Sequence, residues 1–95
     1  LTSNVNAINA STPNPLPVSV SVTADGMAVA AAITGNSASF TWGNSWTEGV
    51  DQTVSTSNSS SADHFENANG TDTASATSTN QNRQAIVALS LSVAR

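Results

Sequence analysis

The chain has 95 residues, enough for one domain, and only 8% of them are charged: two Arg, no Lys and six Asp or Glu, for a net charge of −4. With no basic patch to neutralise phosphates, nucleic acid is excluded as a partner. No apolar run approaches the ~20 residues of a membrane-spanning helix, so no membrane insertion is expected.

Ser, Thr and Asn account for 39 residues and Ala for another 15, whereas Leu, Ile, Val and Phe together number 18. Net charge is too small for the self-repulsion that expands disordered chains. It is also too small to supply the charged coat that keeps soluble domains apart. Cysteine is absent, so no disulfide framework compensates for a thin core. Stability is expected to come from a regular sheet or from burial against other copies.

Residues 1–17 read as an extended arm. Val5, Ala7 and Ile8 are interspersed with Asn, and Pro13, Pro15 and Pro17 follow at a spacing of two. Prolines so placed favour a polyproline-like chain and are excluded from sheet interiors. The start at Leu1 reads as a processed or a trimmed N-terminus. Residues 18–95 are then expected to form a single all-β domain.

Val18, Val20 and Val22 alternate with Ser19, Ser21 and Thr23, the period-two pattern of a half-buried strand. Asp25-Gly26 follows and predicts a two-residue hairpin turn. In that register Val22 meets Val29, Val20 meets Ala31 and Val18 meets Ile33 on one face. Residues 37–42 alternate again, with Ala38, Phe40 and Trp42 on one side and Trp46 beyond Gly43-Asn44. A strand is expected over 50–56. The Ser-rich stretch 55–62 reads as a solvated loop.

Asn69-Gly70 supplies a second hairpin signal. It is followed by a strand with Thr71, Thr73, Ser75 and Thr77 on one face and Asp72, Ala74 and Ala76 on the other. The last segment, from Gln84 to Arg95, is the most apolar. Val87, Leu89, Leu91 and Val93 line one face, and Ile86, Ala88, Ser90 and Ser92 the other. Six or seven short strands with tight turns predict a small antiparallel β-sandwich or barrel.

Chemistry-bearing constellations are sparse. His64 is the only histidine and reads as an exposed side chain beside a hairpin. Asp63, Glu66 and Asp72 are the acidic groups with the best chance of gathering around an ion, but with one His and no Cys the zinc ligand count is not reached. Asp63 and His64 point to opposite faces of a strand. No nucleophile elbow is present. The expectation is therefore no enzyme, no cofactor and no metal. Phe40, Trp42 and Trp46 form the one aromatic cluster, read as core plugs first and as a sugar-stacking platform second. Asn9, Asn58 and Asn69 stand in Asn-x-Ser/Thr sequons and are candidate glycan acceptors.

These features predict a structural subunit of a secreted, self-assembling filament or surface layer whose partners are copies of itself. Residues 1–17 would be the exchanged arm and the strand holding Ile86, Val87, Leu89, Leu91 and Val93 the receiving one. The alternatives are a carbohydrate-binding or adhesive module using Trp42 and Trp46, touching glycans or surfaces, and a viral coat or decoration protein.

Overall fold

A computed structural model describes residues 2–7 and 14–92. Among them the chain forms β1 (Thr2–Ala7), β2 (Leu16–Val22), β3 (Met27–Thr34), β4 (Phe40–Trp42), β5 (Thr47–Val54), β6 (Ser57–Phe65), β7 (Gly70–Ser78) and β8 (Ala85–Leu91). They make two antiparallel sheets, β1-β8-β3-β6-β5 and β2-β7-β4, so the expected all-β antiparallel sandwich is what the chain builds. Pairing is nested: β1 with β8, β2 with β7, β3 with β6. That is a long hairpin wound into two layers, the winding of a jelly roll. The fourth nested pair, β4 with β5, is replaced by a side-chain bond. Phe40 N–H donates to Asp51 Oδ2 (3.0 Å), while β5 pairs with β6 through a bulge between Glu48 and Asp51.

The core lies between the sheets and is asymmetric in bulk. β2 contributes Leu16, Val18, Val20 and Val22; the opposite sheet contributes Ala28, Ala30, Ala32, Ala62 and Ala88 with Ile86. Large residues on one layer meet small ones on the other, which lets the layers approach and interdigitate.

This packing overturns the expected hairpin at Asp25-Gly26. β2 and β3 belong to different sheets, so the turn is an arch that crosses the sandwich. Val18, Val20 and Val22 face inward, while Val29, Ala31 and Ile33 face the outside of the other sheet. A one-residue slip would bring Ile33 and Val29 inside, where β2 already fills the volume. Asp25 has φ 65°, but Gly26 is required by crowding. A Cβ there would sit 2.5 Å from the Leu91 carbonyl oxygen. Asn69-Gly70 likewise opens an arch from β6 into β7, with Gly70 at φ 151°. The two-residue hairpin is elsewhere, at Ser55-Thr56 between β5 and β6.

The Ser-rich stretch is the second correction. Rather than a loop, residues 57–65 are an interior strand of the five-stranded sheet, flanked by β3 and β5. Asn58, Ser60 and Ala62 face inward, and their polar groups are satisfied within the protein. Asn58 Nδ2 donates to Asp51 Oδ1, and Asn58 Oδ1 accepts from Thr53 Oγ1 at 2.6 Å. Ser60 Oγ donates to the Val50 carbonyl (2.6 Å) and accepts from Trp42 Nε1 (2.8 Å).

Pro17 is the third. It lies within β2 opposite Ser75, tolerated because β2 is an edge strand; Pro15 immediately precedes that strand. Asn14 extends the ladder with its side chain, donating to the Ser78 carbonyl (3.0 Å) and accepting from Ser78 N–H (3.1 Å). The sandwich therefore begins before residue 18. Residues 2–7, holding Val5 and Ala7, pair with β8 of the same chain. Ile8, Asn9, Pro13 and Val93 lie outside the described residues.

Gly26→Ala should cost ~1–3 kcal/mol through forced displacement of the β8 end. Gly43→Ala, whose Cβ would find its nearest neighbour at 3.8 Å, should be near neutral. Urea denaturation of the two variants checks the difference; equal stabilities would refute the crowding argument.

Candidate functional site

Two features stand out once the fold is in place. The first lies at the end of the sandwich where two arches meet. Asp25 N–H donates to the Glu66 carbonyl (2.9 Å), and Glu66 N–H donates to the Gly26 carbonyl (3.0 Å). Ala24 N–H donates to Asn69 Oδ1 at 2.9 Å. These bonds fix the main chain around Glu66. The end of β6 then brings in His64, and the start of β7 brings in Asp72.

Here His64 Nδ1 lies 2.6 Å from Asp72 Oδ2 and 3.2 Å from Glu66 Oε2. The Glu66 side chain is buried, the residue only 5% exposed. Asp72 also accepts from Thr73 N–H at 2.8 Å. The Trp46 indole stacks on the imidazole, centroids 5.7 Å apart and planes inclined by 27°.

The hydrogen bond that His64 Nδ1–H donates to Asp72 raises the His64 pKa above its ordinary 6.5; burial opposes it, and the charges of the Asp72 and Glu66 carboxylates add to the rise. Burial raises the Glu66 pKa above 4.5, and sharing a proton with Asp72 reinforces this. Burial also disfavours the Asp72 charge, but hydrogen bonds from Glu66, His64 and Thr73 N–H outweigh it and hold its pKa below 3.8.

The expected acidic group was Asp63, Glu66 and Asp72. Asp63 instead faces outward opposite Thr47, and His64 takes its place. Parity already sets Asp63 and His64 on opposite faces; the missed signal was the crossing between sheets after β6, which places Glu66 and Asp72 across an arch rather than a hairpin and beside His64.

The second feature is the outer face of the five-stranded sheet. Among the described residues, the exposed large hydrophobics are Met27, Ile33, Val50, Val54, Phe65, Val87 and Leu91, all carried by that sheet. Asp63 is the only ionisable residue at an outward register position on its described strands. Ala31, Ile33, Val50, Ser59, Ala85 and Val87 line a shallow groove of about 560 Å³ on this face. Of the expected assembly strand, Ile86 is buried inside, while Val87, Leu89 and Leu91 point outward.

The aromatic cluster goes to the core. Phe40 and Trp46 are buried and Trp42 packs against them half-buried, its N–H held by Ser60. Among the sequons, Asn69 is exposed. Asn58 is 2% exposed with its amide committed to Asp51, so the folded chain offers no acceptor there. No protein family, curated protein or solved structure matches the chain.

The cluster makes stability depend on pH. His64, with a raised folded pKa, contributes stability that is full below 6.5 and lost as pH rises through the folded value. Glu66 behaves likewise, its contribution full below 4.5 and lost above its raised value. Asp72 contributes above 3.8 and loses that contribution as pH falls through its lowered value. Thermal unfolding should therefore show Tm declining from mildly acid to alkaline pH, and His64→Gln should flatten the part of the decline above 6.5. An unchanged profile in that variant would contradict the assignment.

Proposed function

We propose that the chain is a structural subunit of an extracellular self-assembling filament or surface layer, joined to its neighbours by β-strand exchange. One observation carries the reading: an apolar, almost charge-free sheet face is left uncovered while the interior is filled largely by Ala, Ser and β2 aliphatics. Patches of this kind mark interaction surfaces. Five strands ~4.8 Å apart, each about seven residues long, present roughly 500 Å². That is about the area per partner at which specific interfaces begin.

β1 supports strand exchange. It is an edge strand whose only ladder among the described residues is with β8. The eight residues between β1 and β2 can reach up to about 27 Å when extended, more than the 20 and 19 Å short dimensions of the molecule. The slot beside β8 can thus be filled by β1 of a neighbour as well as by the chain's own. Head-to-tail exchange makes filaments whenever the rotation between neighbours does not close a ring. An extracellular setting suits a chain with two Arg, no Lys and correspondingly few cut sites for trypsin-like proteases.

The nested winding also favours a second reading. Jelly rolls recur in viral coat subunits, and a coat or decoration protein would use the same uncovered face. Fold analogy alone carries that alternative.

Electron microscopy of concentrated protein should show filaments or sheets; closed shells would favour the coat reading, and monodisperse monomers would sink both. Deleting residues 1–7 should abolish polymers yet leave a β-rich circular dichroism spectrum; polymers that persist would refute strand exchange. Val87→Glu with Ile33→Glu should block lateral association while leaving the monomer folded, because both side chains are exposed.

A further inference from the structure

We propose that His64, Glu66 and Asp72 bind one divalent transition-metal ion, with Zn²⁺ the best fit. One ligand atom from each of the three lies within 4.8 Å of the others. Around Zn²⁺, with bonds of ~2.0–2.2 Å, tetrahedral ligands stand roughly 3.4 Å apart. The set can open around an ion with side-chain movements of less than about 1 Å, the 2.6 Å His64–Asp72 and 3.2 Å His64–Glu66 contacts widening.

The donor chemistry selects the class of ion. An imidazole nitrogen with two carboxylates suits Zn²⁺ and its first-row neighbours, whereas Ca²⁺ and Mg²⁺ prefer all-oxygen shells. Charge balance agrees: two ionised carboxylates and a neutral imidazole carry −2, which a divalent ion cancels.

The scaffold holds the ligands as a metal site requires. Glu66 is fixed by the paired main-chain bonds to Asp25 and Gly26. Asp72 is oriented by Thr73 N–H, and the His64 ring is held by Trp46. Outer contacts of this kind orient metal ligands and tune their affinity.

An independent observation lies beside the cluster. The indole that stacks on His64 belongs to a residue only 5% exposed, and its Nε1–H has no hydrogen-bond partner among the described residues. A buried donor left unpaired is costly. A three-ligand zinc ion keeps a water in its fourth position and lowers the pKa of that water to about 7, and the resulting hydroxide would be an acceptor for such a donor. The ligands come from β6, the arch after it and β7, so the ion would tie one sheet to the other.

Isothermal titration of the chelator-treated full chain with Zn²⁺ at neutral pH tests this. One equivalent should bind, and Tm should rise by ~10 °C at a hundredfold excess over Kd. Co²⁺ should give the visible absorption of a tetrahedral site. His64→Gln and Asp72→Asn, checked for folding by circular dichroism, should each weaken Zn²⁺ by at least ~10-fold. Ca²⁺ should have no such effect. No saturable Zn²⁺ binding up to about 1 mM would overturn the proposal, leaving a hydrogen-bonded ionic cluster that only braces the arches. Binding undiminished in His64→Gln would overturn it equally.

Discussion

The sandwich depends on a mismatch of side-chain size across its interior. Leu16, Val18, Val20 and Val22 fill the space from one layer, and Ala28, Ala30, Ala32 and Ala88 line the other. The alanine-lined strands can approach the bulky one only because they carry so little themselves. Close packing of this sort is sensitive to single methylenes, which is why a glycine must stand where the first arch passes the Leu91 carbonyl. Buried Ser and Asn fit the same constraint. They are small, and Asn58, Ser60 and Ser90 each find a partner inside, Ser90 reaching across the sandwich to the Ser21 carbonyl at 2.6 Å.

That interior decides what happens outside. With β2 supplying the volume, the larger residues of β3 and β8 are left on the outward side: Met27 and Ile33, Val87 and Leu91. A monomer gains nothing from that arrangement, since apolar area left in water contributes no burial free energy. A subunit covered by a second copy does gain from it. The scarcity of charge, with Asp63 alone at an outward strand position, removes the repulsion that would oppose such contact. Nearly every connection being an arch has a further consequence. The main-chain bonds between the first arch and the one after β6 collect a histidine and two carboxylates at one end of the fold.

The period-two patterns made the strands readable from the chain alone, and most of their inward and outward sets follow from them. β7 and β8 have the face assignment their alternation implies. Partners were not readable, because Asp25-Gly26 and Asn69-Gly70 look the same locally whether they close a hairpin or cross between layers. Only the volume available inside distinguishes the two. The Ser-rich strand was hidden for a related reason: Asn58 and Ser60 carry no apolar signal, and their inward role rests on partners such as Asp51 and Val50 that pairing alone supplies. The ionic cluster shared that dependence, with Glu66 and Asp72 recognisable as candidates and His64 joining them only once the arch was in place.

Assembly as proposed requires the outer face of the five-stranded sheet to be covered by another copy of the chain. Hydroxyl-radical footprinting across a concentration series tests it most directly, because Met27, Phe65 and Leu91 are reactive and exposed in the single subunit. These three should become protected together as the assembled mass grows, while exposed Pro17 on the opposite sheet keeps its reactivity. Assembly that proceeds with Met27, Phe65 and Leu91 as reactive as in the monomer would contradict it.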